Sequence, residues 1–277
     1  MPDYSAAALL SDAHLRLDGL GQEYGILVVE GPDDKRLFYG RVRDPRQIVI
    51  ASGRTLLLAA YSQAASIDRR RIIFFTDCDY EVRQGNLRGG EGLVITAGTN
   101  VESDLLELNA LALIITEIAP SAIADEQVQR IADKVLEKAK SVSLPIGRMR
   151  MAAQPLGVDL SFDDLELSKY WDKRGHSFKE AKLLDVLEVK IKQAGHGVDW
   201  KGLVEATPTD EGMCNGKDTL RAARFLLHHY YKVPNHITDN LVQMMVRMSL
   251  DDSAFRQWSV VKRIQAWEGR TGRLVLR

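Results

Sequence analysis

The sequence predicts an α/β fold in which helices flank a mainly parallel sheet, followed by a mostly helical C-terminal domain. Two observations favour this class. In the first 118 residues, short apolar runs rich in Val, Ile and Phe alternate with helical patterns, as in parallel sheets buried on both faces. After about residue 120, amphipathic helical patterns predominate. We therefore predict an α/β domain over residues 1–118 and a helical domain over residues 119–277.

Four strands are predicted in the first domain, each from a short apolar run. They cover residues 25–30, 47–51, 71–76 and 93–96. Helices are predicted beside and between them, because apolar residues recur at helical spacing and Pro32 and Thr55 suit helix starts. These helices cover residues 5–20, 32–39, 55–64 and 100–118. Strands that alternate with helices imply crossover connections, and therefore mostly parallel pairing.

The second domain is predicted from amphipathic helical segments. They cover residues 123–140, 177–193, 217–231, 236–249 and 253–267. Strand candidates there are confined to residues 160–162 and 273–276. We read this half of the chain as a helical domain that packs on the α/β core.

Composition sets the class of protein. The chain has 277 residues, of which 45% are hydrophobic and 27% are charged, as is usual for a globular protein. No apolar stretch approaches the roughly 18 residues that cross a bilayer, and the first ten residues lack the basic start of a signal peptide. We therefore expect a cytoplasmic protein without a membrane partner. The net charge of −1 argues against nucleic-acid binding by bulk electrostatics alone, but bound metal ions would offset acidic residues in a nuclease.

Carboxylates follow two of the predicted strands directly. Glu30 ends the first apolar run, and Asp77 and Asp79 follow the third. Ligands of parallel sheets bind beyond the carboxyl ends of the strands, so these side chains are expected to meet at one edge. Clustered carboxylates repel one another unless a cation lies between them, and Mg²⁺ or Mn²⁺ prefers oxygen ligands. Removal of one carboxylate is therefore expected to leave the fold intact.

A glutamate after strand one, a glycine after strand two and Asp-x-Asp after strand three resemble the Toprim domain. More closely, three segments look like an OLD-like (overcoming lysogenisation defect) family of Toprim-like anti-phage defence nucleases, which includes the Toprim nuclease subunit of the PARIS system. These segments are Val29–Asp34, Asp77–Glu81 and Thr99–Leu106. The resemblance covers residues 25–110 and extends to Arg174-Gly175-His176 and Gly216-Lys217-Asp218.

The resemblance implies a Mg²⁺-dependent endonuclease, with Mn²⁺ as an alternative metal. Glu30, Asp77 and Asp79 match the family's catalytic and metal-binding carboxylates, and Glu102 and Asp34 match two further acidic positions that could hold metal. Two ions about 4 Å apart would stabilise both the attacking and the leaving oxygen of a phosphodiester.

Three basic residues are candidate contacts to a substrate phosphate. Lys35 and Arg54 lie close in sequence to the strand ends, and Lys217 follows a glycine at a predicted helix start, where an anion can bind. A capping turn explains the position of Lys217 equally well.

Partners are also implied by the resemblance. It points to a nucleic-acid substrate, either DNA or RNA, with structured RNA such as tRNA as one candidate. It also implies an ABC-type ATPase subunit that restrains the nuclease until infection, after which a homodimer can form. The chain contains no P-loop, so any ATPase must be a partner.

Each carboxylate also has a structural explanation. Glu30 could cap a helix, Asp77 and Asp79 could be turn residues, and Glu102 and Asp34 occupy first turns of predicted helices, where acids are favoured. At the level of function, two alternatives stand beside the defence nuclease. One is a non-catalytic Toprim-like sensor or adaptor subunit of an ATPase complex. The other is an enzyme of ordinary nucleic-acid maintenance, such as an RNA-maturing nuclease, which the helical second half disfavours.

Overall fold

The structure, a computed structural model, describes residues 5–80, 85, 89–118, 123–158, 160, 162, 165–234 and 236–277. Contacts between residues divide the chain into two units. Unit 1 comprises Met1–Ala97 with Leu250–Arg277, and unit 2 comprises Gly98–Ser249. The predicted α/β class with a parallel sheet is confirmed, and the sheet belongs to unit 1.

The sheet of unit 1 has four strands in the order β2-β1-β3-β4, and every neighbouring pair is parallel. The strands are β1 Ile26–Val29, β2 Ile48–Ile50, β3 Ile72–Thr76 and β4 Leu93–Ile95. Val28 lies opposite Val49 on one side and Phe74 on the other. All residues of β1 and β3 are buried, which explains why their sequences are apolar without alternation.

Helices account for most of the remaining described residues. In chain order they are α1 Ala6–Leu20, α2 Pro32–Phe38, α3 Arg54–Gln63, α4 Ser66–Arg69, α5 Val101–Glu107, α6 Ala110–Ile118, α7 Asp125–Ala153, α8 Glu180–Gln193, α9 Trp200–Ala206, α10 Gly216–Tyr231, α11 Asp239–Met248, α12 Asp252–Gln257 and α13 Ser259–Thr271. In unit 2, a short antiparallel hairpin pairs β5 Trp171–Asp172 with β6 Ser177–Phe178. Within the described part of the chain, no helix has both the length and the apolarity required to cross a membrane.

The end of the chain returns to the sheet unit. Trp258 stacks on Phe38 with ring centroids 5.9 Å apart and meets the edge of Phe75 at 5.8 Å. The indole of Trp267 donates a hydrogen bond of 2.9 Å to the carbonyl of Arg69. Beyond α13, the backbone of Leu274 accepts a hydrogen bond from Gly25 at 3.0 Å. The C-terminal segment therefore completes the core and edge of unit 1.

The division into units differs from the predicted boundary at residue 118. Residues 98–118 group with the helical unit, and residues 250–277 group with the sheet. The aromatic contacts of Trp258 explain the second difference, because they join residues far apart in sequence, which periodicity does not reveal. The segment 273–276, predicted as a strand, forms isolated bridges at Leu274 and Leu276 rather than a strand.

Several helices differ from their predicted bounds. The predicted helix over residues 100–118 is divided into α5 and α6, because Asn109 has a left-handed φ of 66°. The helix predicted over 123–140 continues to Ala153 and includes Pro145. The segment predicted over 177–193 begins as a strand, and its helix starts at Glu180.

Helices α4 and α9 and the hairpin were not expected from the sequence. The strand candidate at 160–162 has no strand at its two described residues, and Ser161 lies outside the described part, as does Glu81.

In unit 2, helix α10 packs on α5, α7 and α11. The buried carboxylate of Asp218 accepts hydrogen bonds from Arg150 at 3.0 Å and from Arg221 at 3.1 Å. Arg221 also contacts Asp239 at 3.2 Å. These ion pairs connect α7, α10 and α11. They also provide each buried charge with a partner of opposite charge.

We predict that Gly25→Ala destabilises unit 1. A Cβ atom at Gly25 would lie 2.8 Å from the Trp267 ring and 3.0 Å from Val275, so the returning C-terminal segment would have to shift. The expected loss is about 1–3 kcal/mol of unfolding free energy, measured by urea denaturation with tryptophan fluorescence.

Gly269→Ala is the matched control, since this helical glycine in α13 has no atom within 4 Å of an added Cβ. That variant should gain up to about 1 kcal/mol, because alanine favours the helix. Equal stability of the Gly25→Ala variant and the wild type would show that the C-terminal segment does not pack as described.

Candidate active site

The predicted acidic residues of unit 1 lie at one edge of the sheet. Glu30 directly follows β1, and Asp77 and Asp79 follow β3, the neighbouring strand. Arg54 begins α3, which follows β2 on the other side of β1. Because all strands run parallel, these residues share the carboxyl edge, where parallel sheets bind ligands. We call Glu30, Asp77 and Asp79 the acidic site.

The Glu30 carboxylate is held against the end of β3. Its Oε1 atom accepts a hydrogen bond of 3.0 Å from the backbone N–H of Asp77 and another from the hydroxyl of Thr76. The predicted convergence of Glu30 with the Asp77 segment is therefore observed. These bonds also show that Glu30 does more than repel its neighbours, so Glu30→Ala would remove native contacts, contrary to the expectation from charge alone.

Arg54 joins the separate parts of the acidic site. Its Nη1 atom lies 3.1 Å from Asp79 Oδ2 and 3.6 Å from Glu30 Oε1. The same atom donates to Thr76 Oγ1 at 3.0 Å and to the carbonyl of Asp77. The side chains of Arg54 and Glu30 are only 16% and 23% exposed, so solvent screens this pair weakly, whereas the Asp79 side chain is 41% exposed. The guanidinium thus compensates two carboxylates that would otherwise repel.

The turn after β2 places Arg54 over the sheet edge. Ser52 and Gly53 both have left-handed backbone angles, with φ of 60° and 128°. The N–H of Gly53 donates to the carbonyl of Glu30 at 2.9 Å, which ties this turn to the end of β1. A φ of 128° strongly favours glycine, so the glycine after strand two has a conformational role. It allows α3 to begin with its first residue, Arg54, at the acidic site.

Asp34 and Lys35 lie on α2, next to the end of β1. The carboxylate of Asp34 accepts a hydrogen bond of 3.0 Å from the N–H of Gly31 and thereby caps the helix start. This is the structural role left open by the sequence, and metal binding by Asp34 stays a prediction. Lys35 is half-buried, and its contact with a substrate phosphate likewise stays a prediction.

Glu102 and Lys217 belong to unit 2. Glu102 is buried in α5, and its Oε1 lies 2.5 Å from Arg247 Nη2 on α11. This ion pair satisfies the carboxylate within unit 2, and its predicted metal ligation remains a prediction. Lys217 is exposed in the first turn of α10, where its N–H donates to the capping side chain of Asn215 at 3.0 Å.

Two segments that carry the family resemblance adjoin one another in unit 2. The Asn100 side chain caps α5 by accepting from Ser103 N–H at 3.1 Å, and it also accepts from the N–H of Gly216 at 3.1 Å. The hydroxyl of Thr99 donates to the carbonyl of Cys214 at 2.9 Å. An added Cβ at Gly216 would collide with the backbone of Ser103, so glycine permits this close approach. The two motifs therefore form one structural element.

The fit of a divalent cation depends on how the oxygen donors are arranged. Within the described ranges, no three His, Cys, Asp or Glu side chains are close enough to hold a metal ion. Glu30 and Asp79 nevertheless converge on one cationic group, the Arg54 guanidinium. Their carboxylates are the type of ligand that Mg²⁺ prefers, so the chemistry of these donors suits such an ion.

Several contacts of the predicted residues were not foreseen from the sequence, among them those of Thr76 and Arg247. Thr76 donates to Glu30, and Arg247 neutralises Glu102. A signal for the first exists, because a hydroxyl residue that ends a fully apolar buried strand needs a hydrogen-bond partner. No comparable signal marks Arg247, which lies 145 residues from its partner.

We predict that Glu102→Gln lowers the stability of unit 2 in the absence of metal. The change replaces the buried negative charge that lies 2.5 Å from Arg247 by a neutral amide, which is expected to cost roughly 1–3 kcal/mol in urea denaturation. Glu107→Gln, in the same helix, is the matched control: its partner is Lys140 at 2.6 Å, but 63% of the Glu107 side chain is exposed. That change should cost no more than about 1 kcal/mol. Equal effects of the two substitutions would contradict a structural role for Glu102.

Comparison of the chain with protein-family models gave no match, and comparison with curated protein sequences gave none.

Proposed function

We propose that the protein is a metal-dependent nuclease of the Toprim-like type, which hydrolyses phosphodiester bonds in nucleic acid. One observation carries the proposal: Glu30 and Asp79 converge on the guanidinium of Arg54 at the carboxyl edge of a parallel sheet. Their order along the chain, together with Asp77 and the glycine after β2, is the order that the Toprim resemblance requires. The four-stranded parallel sheet is consistent with a Toprim fold for unit 1.

Each residue of the acidic site has a role in the proposed reaction. Glu30, Asp77 and Asp79 would hold Mg²⁺ or Mn²⁺. The resemblance implies up to two ions, with Asp34 and Glu102 as further acidic ligands. The metal supplies an activated water and stabilises negative charge on the phosphate. The hydrogen bonds from Thr76 and Asp77 hold Glu30 Oε1 in place, and in the proposed reaction the Glu30 carboxylate would accept a proton from the attacking water. Asp77 and Asp79 would supply further oxygen ligands to the ion.

The biological setting proposed here rests on the resemblance. The nuclease would act as the effector of an anti-phage defence system, regulated by an ABC-type ATPase subunit and able to form a homodimer after release. Its substrate would be DNA or RNA, including structured RNA such as tRNA. The net charge of −1 favours a contribution of the partner or of metal ions to nucleic-acid binding.

A second candidate is a non-catalytic Toprim-like sensor or adaptor subunit of an ATPase complex. One observation favours it: Arg54 already neutralises Glu30 and Asp79, so these carboxylates are compensated without metal. In that case the acidic site would stabilise the sheet edge rather than perform chemistry.

The two candidates predict different results in a cleavage assay. The nuclease should cut plasmid DNA or total RNA when Mg²⁺ or Mn²⁺ is present, and EDTA should abolish cutting. The assay is performed with the purified chain alone and with a co-expressed ABC-type ATPase, because restraint or activation by the partner is part of the proposal. The absence of metal-dependent cleavage in every arm would favour the non-catalytic subunit.

We predict that Glu30→Gln reduces metal-dependent cleavage by at least about 100-fold, because the amide neither takes up a proton nor carries charge for the metal. The amide oxygen can still accept the hydrogen bonds of Thr76 and Asp77, so the variant should remain folded by circular dichroism. Asp33→Asn is the matched control, since Asp33 is exposed and pairs with Arg36 at 2.8 Å. Retention of wild-type cleavage by a folded Glu30→Gln variant would remove Glu30 from the mechanism.

A further inference from the structure

Arg54 contacts the two carboxylates that the proposed metal ion would use. Its Nη1 atom lies 3.1 Å from Asp79 Oδ2 and 3.6 Å from Glu30 Oε1, between the two carboxylates. Mg²⁺ binds oxygen ligands at about 2.0–2.1 Å. An ion that bridges these carboxylates would therefore overlap the guanidinium of Arg54. The double positive charge of the ion would also repel the positive charge of the guanidinium.

We infer that Arg54 is an internal counter-ion of the acidic site that competes with divalent metal and must leave the carboxylates before the metal binds. This inference rests on the proposed function, since it assigns a regulatory role to a residue of the same site. Metal loading is thus a switch between two cations, an arginine of the chain and a dissolved ion, for the same carboxylates.

The contacts of Arg54 would favour the metal-free state. Beyond the two carboxylates, the Nη1 atom donates to the Thr76 hydroxyl and to the carbonyl of Asp77. Its charge therefore replaces that of a metal, and its hydrogen bonds satisfy polar atoms at the end of β3. A metal ion would have to displace these interactions. Its apparent dissociation constant is the intrinsic one divided by the fraction of molecules in which Arg54 has moved away, so metal binding is weakened.

Release of Arg54 also provides a ligand for the substrate. A guanidinium presents paired N–H donors that match the oxygens of a phosphodiester. A nucleic-acid phosphate that holds the released Arg54 would favour metal binding, and metal binding would favour the phosphate. Because coupling between two ligands is reciprocal, the metal should bind more tightly when a phosphodiester is present. This coupling would restrict metal loading to the substrate-bound enzyme.

The inference is tested by direct metal binding. Mn²⁺ affinity is measured by electron paramagnetic resonance of the free ion for the wild type, Arg54→Gln and Arg54→Lys. We expect Arg54→Gln to bind Mn²⁺ about tenfold or more tightly than the wild type, with Arg54→Lys between them, because lysine has the charge but fewer fixed donors. Arg36→Gln, which removes an exposed arginine of α2, should bind like the wild type. Unchanged or weaker binding by folded Arg54→Gln would overturn the inference.

A second measurement uses the unaltered protein, in case the variants do not fold. Phenylglyoxal modifies accessible guanidinium groups, and peptide mass spectrometry reports the rate at each arginine. Saturating Mn²⁺ should raise the modification rate of Arg54 several-fold, because its side chain is 16% exposed before release. The rate at Arg36, whose side chain is 79% exposed, should not change. An unchanged rate at Arg54 with Mn²⁺ bound would overturn the inference.

These measurements separate this inference from the proposed function. If the wild type cleaves nucleic acid with metal but Arg54→Gln binds Mn²⁺ no more tightly, the nuclease stands and the competition by Arg54 is refuted. If Arg54→Gln binds Mn²⁺ more tightly but no protein cleaves DNA or RNA, the competition stands and the nuclease is refuted.

Discussion

Charge compensation at the carboxyl edge of the sheet is the constraint on which the site depends. Parallel pairing brings the ends of β1 and β3 side by side, and the residues that follow them are acidic. Unpaired carboxylates at this spacing would oppose folding, so a positive charge has to accompany them. Arg54 supplies that charge from the first turn of α3, and the turn at Gly53 makes its approach possible. The geometry of three strand ends thus determines the chemistry available at the edge.

The sequence was sufficient for the parts of the fold that local patterns determine. All four strands of the sheet were predicted within two residues, because strands buried on both faces form continuous apolar runs. The meeting of Glu30 with the Asp77 segment followed from parallel pairing alone. The division into units could not be predicted in the same way, because it depends on contacts such as Trp258 with Phe38 that join distant segments.

The partners of the charged residues were beyond local reasoning as well. The sequence did not show that Arg54 pairs with Glu30 and Asp79, or that Glu102 pairs with Arg247. The contact of Arg54 with a substrate phosphate stays a prediction. These ion pairs join different elements of the fold. The sequence does not show which acidic residue a long, flexible arginine side chain contacts. Single-sequence patterns therefore located the acidic residues, but the three-dimensional structure was needed to show how their charge is balanced.

The discontinuity of unit 1 has a consequence for biosynthesis. Its sheet is built from the first 97 residues, whereas Trp267 and Leu274, which cover the approach to β1, are translated after the whole of unit 2. A ribosome adds about 5–20 residues per second, so Trp267 and Leu274 are synthesised on the order of ten seconds after the strands of the sheet. During that interval the helical unit can fold, while the acidic edge belongs to an unfinished domain. The sheet of unit 1 can therefore reach its final packing only after unit 2 has been translated.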